Sequence, residues 1–201
     1  MTEGLNAAVP RHNLATRFFH GALALAIVTQ LITSLAMEGP DEETAGDALF
    51  QLHRYAGLTA MALALGFWLV ILGRRQGTSF GALFPWFSGT RRAAVFRDIG
   101  HYLKALTRLH LPEPDVDGPL SSAVHGLGLL LMTAMALSGT LYFIQVNLEL
   151  HSPEPDDMPV MLVHFALGNL VWVYLIAHAS LAVLHHLLRT LPLGSMWSLR
   201  G

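Results

Sequence analysis

The feature that most constrains this chain is an apolar run, residues 160–188, long enough to cross a bilayer yet carrying His164, His178, His185 and His186. An ionisable side chain at membrane depth costs free energy, and it persists where a partner or a function holds it. His164 and His178 are 14 residues apart. At ~100° and ~1.5 Å per residue, that step puts them within ~40° of one helix face and ~21 Å apart along the axis. One helix therefore offers two imidazoles, one toward each membrane surface.

Three further runs are long enough to span the ~30 Å of hydrocarbon that about 20 residues cover. Residues 18–37 follow Arg17, contain His20 and stop at Glu38-Gly39-Pro40. Residues 48–72 contain His53 and close at Gly73-Arg74-Arg75. Residues 120–146 hold His125, with Gly126, Gly128 and Gly139 where a neighbour or a flat cofactor can approach the backbone. With 53% apolar and 13% charged residues, the 201-residue chain has too little polar material for a soluble domain of its size. The expected fold is all-α, a four-helix transmembrane bundle with both termini cytoplasmic, and residues 1–201 read as a single membrane domain without repeats. The connection 73–119 is basic, and its one long periodic piece, RRAAVFRDIGHYLKALTRL, reads as an amphipathic helix on the membrane surface. The opening MTEGLNAAVPRHN lacks the apolar core and cleavage site of a signal peptide, so the first span is expected to be retained. The absence of cysteine excludes thiolate-held iron–sulfur clusters, a covalent c-type haem and disulfides.

Charge sets the orientation. Of the 12 Lys and Arg, all but Arg54 lie in the N-terminal segment, the connection 73–119 or the tail. Four spans with both termini inside place these on the cytoplasmic side, and leave Glu38, Asp41, Glu42, Glu43, Asp47, Glu149, Glu154, Asp156 and Asp157 outside. Depth follows from orientation. His20 and His178 fall near the inner surface, His53 and His164 near the outer one. A haem iron takes one axial imidazole from each side, so the two depth-matched pairs are candidate metal ligands. A lone histidine in a span serves equally well as a hydrogen-bonding residue between helices; four that agree in depth ask for a shared cause. His125, also at inner depth, is a competitor that would replace His20 or His178, or face a propionate or a quinone. His185 and His186 read as interfacial, and His12, His101, His110 and His151 as solvated.

The segments TRFFHGALALAIVTQLITSL, LFQLHRYAGLTAMALAL and HFALGNLVWVYLIAH carry a resemblance. With them the chain resembles the prokaryotic cytochrome b561 family, which is similar to the di-haem cytochrome b subunits of respiratory formate dehydrogenases and nickel–iron hydrogenases. The resemblance implies two haem b groups in a bacterial inner membrane, the cytoplasmic one on His20 and His178 and the periplasmic one on His53 and His164. It also implies quinone chemistry near the cytoplasmic haem, and electron transfer between the quinone pool and a periplasmic redox protein or dehydrogenase subunit. The long connection with RDIGHYLKAL is similar to the dehydrogenase and hydrogenase subunits rather than to the compact stand-alone cytochromes. Arg17 and Arg54 adjoin the proposed ligands and are candidates to pair with propionates.

Two other readings stand beside this one. A stand-alone superoxide:quinone oxidoreductase is permitted by the resemblance, although the acidic outer loops would repel an anion. A histidine-lined metal or proton transporter explains ionisable groups in spans but not their pairing at two depths. Membrane lipid and quinone are the expected partners, a homodimer is compatible with the sequence, and no nucleic acid is expected.

Overall fold

The computed structural model describes residues 13–41, 43–75, 77–108, 112, 115, 118–148 and 158–188. Glu42, His12, His110, the loop 149–157 with His151, and the tail from Arg189 lie outside the described residues. The elements are α1 (Leu14–Thr33), α2 (Ala48–Gly73), α3 (Phe80–Leu83), a single 3-10 turn (Pro85–Phe87), α4 (Gly89–Leu106), α5 (Pro119–Asn147) and α6 (Pro159–Leu187). No strand occurs among the described residues. α1, α2, α5 and α6 are the four helices long and apolar enough to cross a membrane.

Each long helix starts where the sequence supplies a solution for its unpaired amides. Asn13 Oδ1 accepts from the Thr16 amide at 2.8 Å, and Asp47 Oδ1 from the Phe50 amide at 2.7 Å. α5 and α6 begin with Pro119 and Pro159, which have no amide to satisfy. α5 borrows a further acceptor from α4, since Asp98 Oδ2 takes the Leu120 amide at 3.1 Å. Three of the expected spans match their helices to within a residue at each end. The first does not: hydropathy suggests 18–37, whereas the helix is Leu14–Thr33. The Asn13 cap starts it a turn early. At its other end the Thr33 hydroxyl turns back to the Thr29 carbonyl at 2.8 Å and that of Ser34 to the Leu31 carbonyl at 2.9 Å, and the chain leaves the helix through a turn at 34–36.

α1 packs on α2, α2 on α5 and α5 on α6. Cross-links fix the up-and-down order. Arg74 at the end of α2 reaches Thr16 at the start of α1 (3.4 Å), Trp68 Nε1 donates to Thr133 (3.0 Å), and the Tyr174 hydroxyl donates to the Val124 carbonyl (3.3 Å). One end of the bundle thus carries α3, α4 and the cations Arg74, Arg91, Arg92, Arg97 and Lys104; the other carries Asp41, Glu43 and Asp47. They are called the basic and acidic ends below. Leu23, Ile27, Leu31, Ala60, Leu129, Met132 and Val171 form the core. The outside is as apolar as the inside: Leu25 is 70% and Leu69 72% exposed. A surface of that kind is stable against hydrocarbon and not against water.

The connection between α2 and α5 holds more than the amphipathic helix read from its sequence. Leu83 and Phe84 are buried in the main core, and Trp68 stacks on Phe84 with ring centres 5.3 Å apart. The segment wedges against α5 at Gly126, where any Cβ would run into the backbone of Leu83. FGALFPWF is too short to show a periodicity in the sequence. α4 itself buries Val95 and leaves Phe96 and Leu103 exposed beside its cations.

Candidate functional site

Four histidines of the spans meet in two pairs. Toward the acidic end, His53 of α2 faces His164 of α6 with ring centres 6.3 Å apart. Toward the basic end, His20 of α1 faces His178 of α6 at 6.4 Å. Rings at these distances are too far apart for their nitrogens to share a hydrogen bond, which needs about 3 Å between heavy atoms. They do suit a metal between them. With an imidazole nitrogen ~2.0–2.1 Å from a metal and ~1.15 Å from its own ring centre, two rings in line across one ion have centres roughly 6.3–6.5 Å apart.

The acidic-end pair borders a cavity of about 330 Å³ that is also lined by Gly57, Gly139, Gly168, Trp172 and Arg54. That volume lies in the range typical of small-molecule and cofactor sites. A Cβ at Gly139 would sit 3.1 Å from His164 Cε1, and one at Gly57 would sit 3.4 Å from Gln30 Nε2. Both rings are held from behind. His53 Nδ1 lies 3.1 Å from the Gln30 carbonyl oxygen and 3.0 Å from Thr33 Oγ1, while the Gln30 side-chain amide donates to the His53 carbonyl. His164 Nδ1 lies 2.9 Å from Ser138 Oγ. Arg54 lies over the rings of Tyr55 and Phe143 at 5.1 and 5.0 Å. It also lines a second cavity, of about 280 Å³, that opens toward Asp41 and Glu43.

The basic-end pair is supported differently. Tyr174 stacks on His178, ring centres 5.4 Å apart and planes 10° from parallel, and its hydroxyl occupies the notch left by Gly128. His125 stands edge-on to His178 at 5.4 Å, 1.0 Å closer than His20, and flanks the pair. Its Nδ1 is 2.7 Å from the Ser121 carbonyl oxygen, which accepts only, so Nδ1 carries the hydrogen and Nε2 is the basic atom. Arg17, one turn before His20, is buried. His185 is buried as well; it lies two turns beyond His178 on the same face of α6. His186 and His101 are exposed.

Among the described residues no group of three or more His, Cys, Asp or Glu side chains is arranged to hold a metal ion. The sequence reading did not single out Gln30, Thr33 or Ser138. The available signal was an amide and hydroxyls facing the same interior as the histidines, in spans that are otherwise apolar. Outside the spans, Asp41 shapes the acidic connection: its carboxylate accepts from the amides of Thr44 (2.6 Å) and Glu43 (2.8 Å). These bonds, the Thr44 one foremost, hold its pKa below the ordinary value of 3.8. In α4, burial and then the nearby Asp98 and Asp115 push Tyr102 upward.

Four membrane-length helices fit a multi-pass membrane protein, and two pairs of imidazoles face each other between them. The prokaryotic cytochrome b561 family matches residues 11–199, and the chain belongs to that family. Membership implies haem b and electron transfer across a membrane. No curated protein and no solved structure matches the chain.

Proposed function

We propose that the protein carries electrons between a periplasmic redox partner and the membrane quinone pool, holding two haem b groups in a bacterial inner membrane with both termini cytoplasmic. The observation that carries this reading is the pair of imidazole separations, 6.3 and 6.4 Å, each suited to one iron. His53 and His164 hold the periplasmic group, His20 and His178 the cytoplasmic one. When bound, haem supplies the one-electron chemistry. The chain supplies the rest. Arg54, between the acidic-end cavity and the surface, pairs with propionates there, and Arg17 does so at the other end. Held by two imidazoles each, the haems would serve electron transfer and not oxygen binding. The orientation rests on the distribution of Lys and Arg. It turns Asp41, Glu43 and Asp47 toward the periplasm, where they complement a basic donor such as a c-type cytochrome or a dehydrogenase subunit.

Quinone binds at the basic end. His125 Nε2 is placed to exchange a proton with a headgroup beside His178, its Nδ1–H being held by the Ser121 carbonyl. Stopped-flow reduction by a soluble quinol tests this. Reduction is expected in the wild type and strongly slowed in a variant that retains only the His53/His164 haem; undiminished reduction in that variant would move quinone to the acidic end.

A further inference from the structure

We infer that Thr33 and Ser138, with Gln30, are positioning residues that fix the proton on Nδ1 of both acidic-end histidines and so set the reduction potential of that site. The inference rests on the proposed ligation by His53 and His164. Its basis is an accounting of hydrogens. The Gln30 carbonyl oxygen, 3.1 Å from His53 Nδ1, has no hydrogen to give. The Thr33 hydroxyl, 3.0 Å from the same nitrogen, has one, directed to the Thr29 carbonyl at 2.8 Å. Both groups therefore accept from His53, and Nδ1 must be the protonated atom. Ser138 repeats the arrangement on the opposite ring: its hydroxyl donates to the Met135 carbonyl at 2.9 Å, and its oxygen accepts from His164 Nδ1 at 2.9 Å. In each ring Nε2 is left as the lone-pair atom.

Two further contacts make the arrangement rigid. Gln30 binds His53 twice, by its side-chain amide to the His53 carbonyl and by its own carbonyl to Nδ1, and Gly57 leaves room for that amide. Gly139 leaves room for the His164 ring beside Ser138, where a Cβ would come within 3.1 Å of Cε1. An acceptor on Nδ1–H makes an imidazole a stronger donor through Nε2, which favours the more oxidised metal. The basic-end site differs. Among the described residues His178 is held by ring contacts with Tyr174, His125 and His20 and by no hydrogen bond.

The test is potentiometric titration of the purified, haem-loaded full chain as wild type, Ser138→Ala, Thr33→Val and Ser138→Thr, with haem content measured first. Ser138→Ala is expected to raise the reduced-to-oxidised ratio of the acidic-end haem about tenfold at a fixed ambient potential, a shift of about 59 mV for a one-electron couple, and Thr33→Val to raise it by less, because the Gln30 carbonyl still accepts from His53 Nδ1. The basic-end haem should stay where it is. Ser138→Thr, which keeps the hydroxyl, should titrate as wild type, and the low-spin electron paramagnetic resonance signal of the acidic-end site should move in Ser138→Ala alone of the two Ser138 variants. Unchanged potential in Ser138→Ala and Thr33→Val at full haem content would overturn the inference, as would an equal shift in Ser138→Thr. Should Ser138→Ala fail to fold, Thr33→Val reads the same quantity on the opposite ring. Wild-type protein without haem at this pair would instead refute the ligation itself.

Discussion

The two histidine pairs have nearly the same ring separation and quite different surroundings. The acidic-end rings are pinned by hydrogen bonds with α1 and α5, beside a cavity lined in part by glycines. At the basic end, Tyr174 stacks on His178, His125 stands edge-on to it, and Gly128 makes the notch for the Tyr174 hydroxyl. On the proposed ligation, the separation of each pair suits one iron, while the groups behind the rings are hydrogen-bonding at one end and aromatic at the other.

The largest way to break the comparison is to remove a ligand. His53→Ala and His164→Ala are each expected to abolish the same spectral component, and His20→Ala and His178→Ala the other, as redox difference spectra of the four variants will show. Loss of the basic-end component in His125→Ala but not in His20→Ala would make His125 the ligand. Smaller, but still site-specific, is Gly139→Val. It forces methyl groups onto the His164 ring, where even a Cβ would be 3.1 Å away, and overpacking of this kind costs about 1–3 kcal/mol. Haem content should fall at the acidic end only. The corresponding variant at the other end, Gly128→Ala, displaces the Tyr174 hydroxyl and should shift the basic-end component alone.

His125→Gln sharpens the functional side of the contrast. It should slow quinol-driven reduction several-fold in stopped-flow traces while both haems are retained, and a quinone-site inhibitor should move the potential of the His20/His178 haem far more than that of the other. The smallest effect concerns the acidic connection. Because Asp41 accepts amide hydrogens as a carboxylate, its pKa is lower in the fold than in the unfolded chain. Its contribution is therefore present above the ordinary carboxylate value and is lost as pH falls through the lowered one. Hydrogen exchange at the Thr44 amide should accelerate at acid pH, and Asp41→Asn should reduce that dependence.

How much was legible in the sequence follows from the range of each signal. Hydropathy over some 20 residues marked all four spans, because a bilayer imposes that length. Depth then brought His20 opposite His178 and His53 opposite His164, since each span has a direction. Features that depend on a single partner were not legible. The Asn13 cap moved the start of α1, and the wedge at Leu83 and Phe84 depends on a missing Cβ at Gly126. Thr33 meets His53 across 20 residues and Ser138 meets His164 across 26, with nothing local to announce either contact.

The central claim is that each imidazole pair holds one haem, and the haem content of the purified wild-type chain tests it most directly. Pyridine haemochrome extraction, set against protein concentration from amino-acid analysis, is expected to give two b-type haems per chain. One haem per chain, or none in a well-folded preparation, would contradict it.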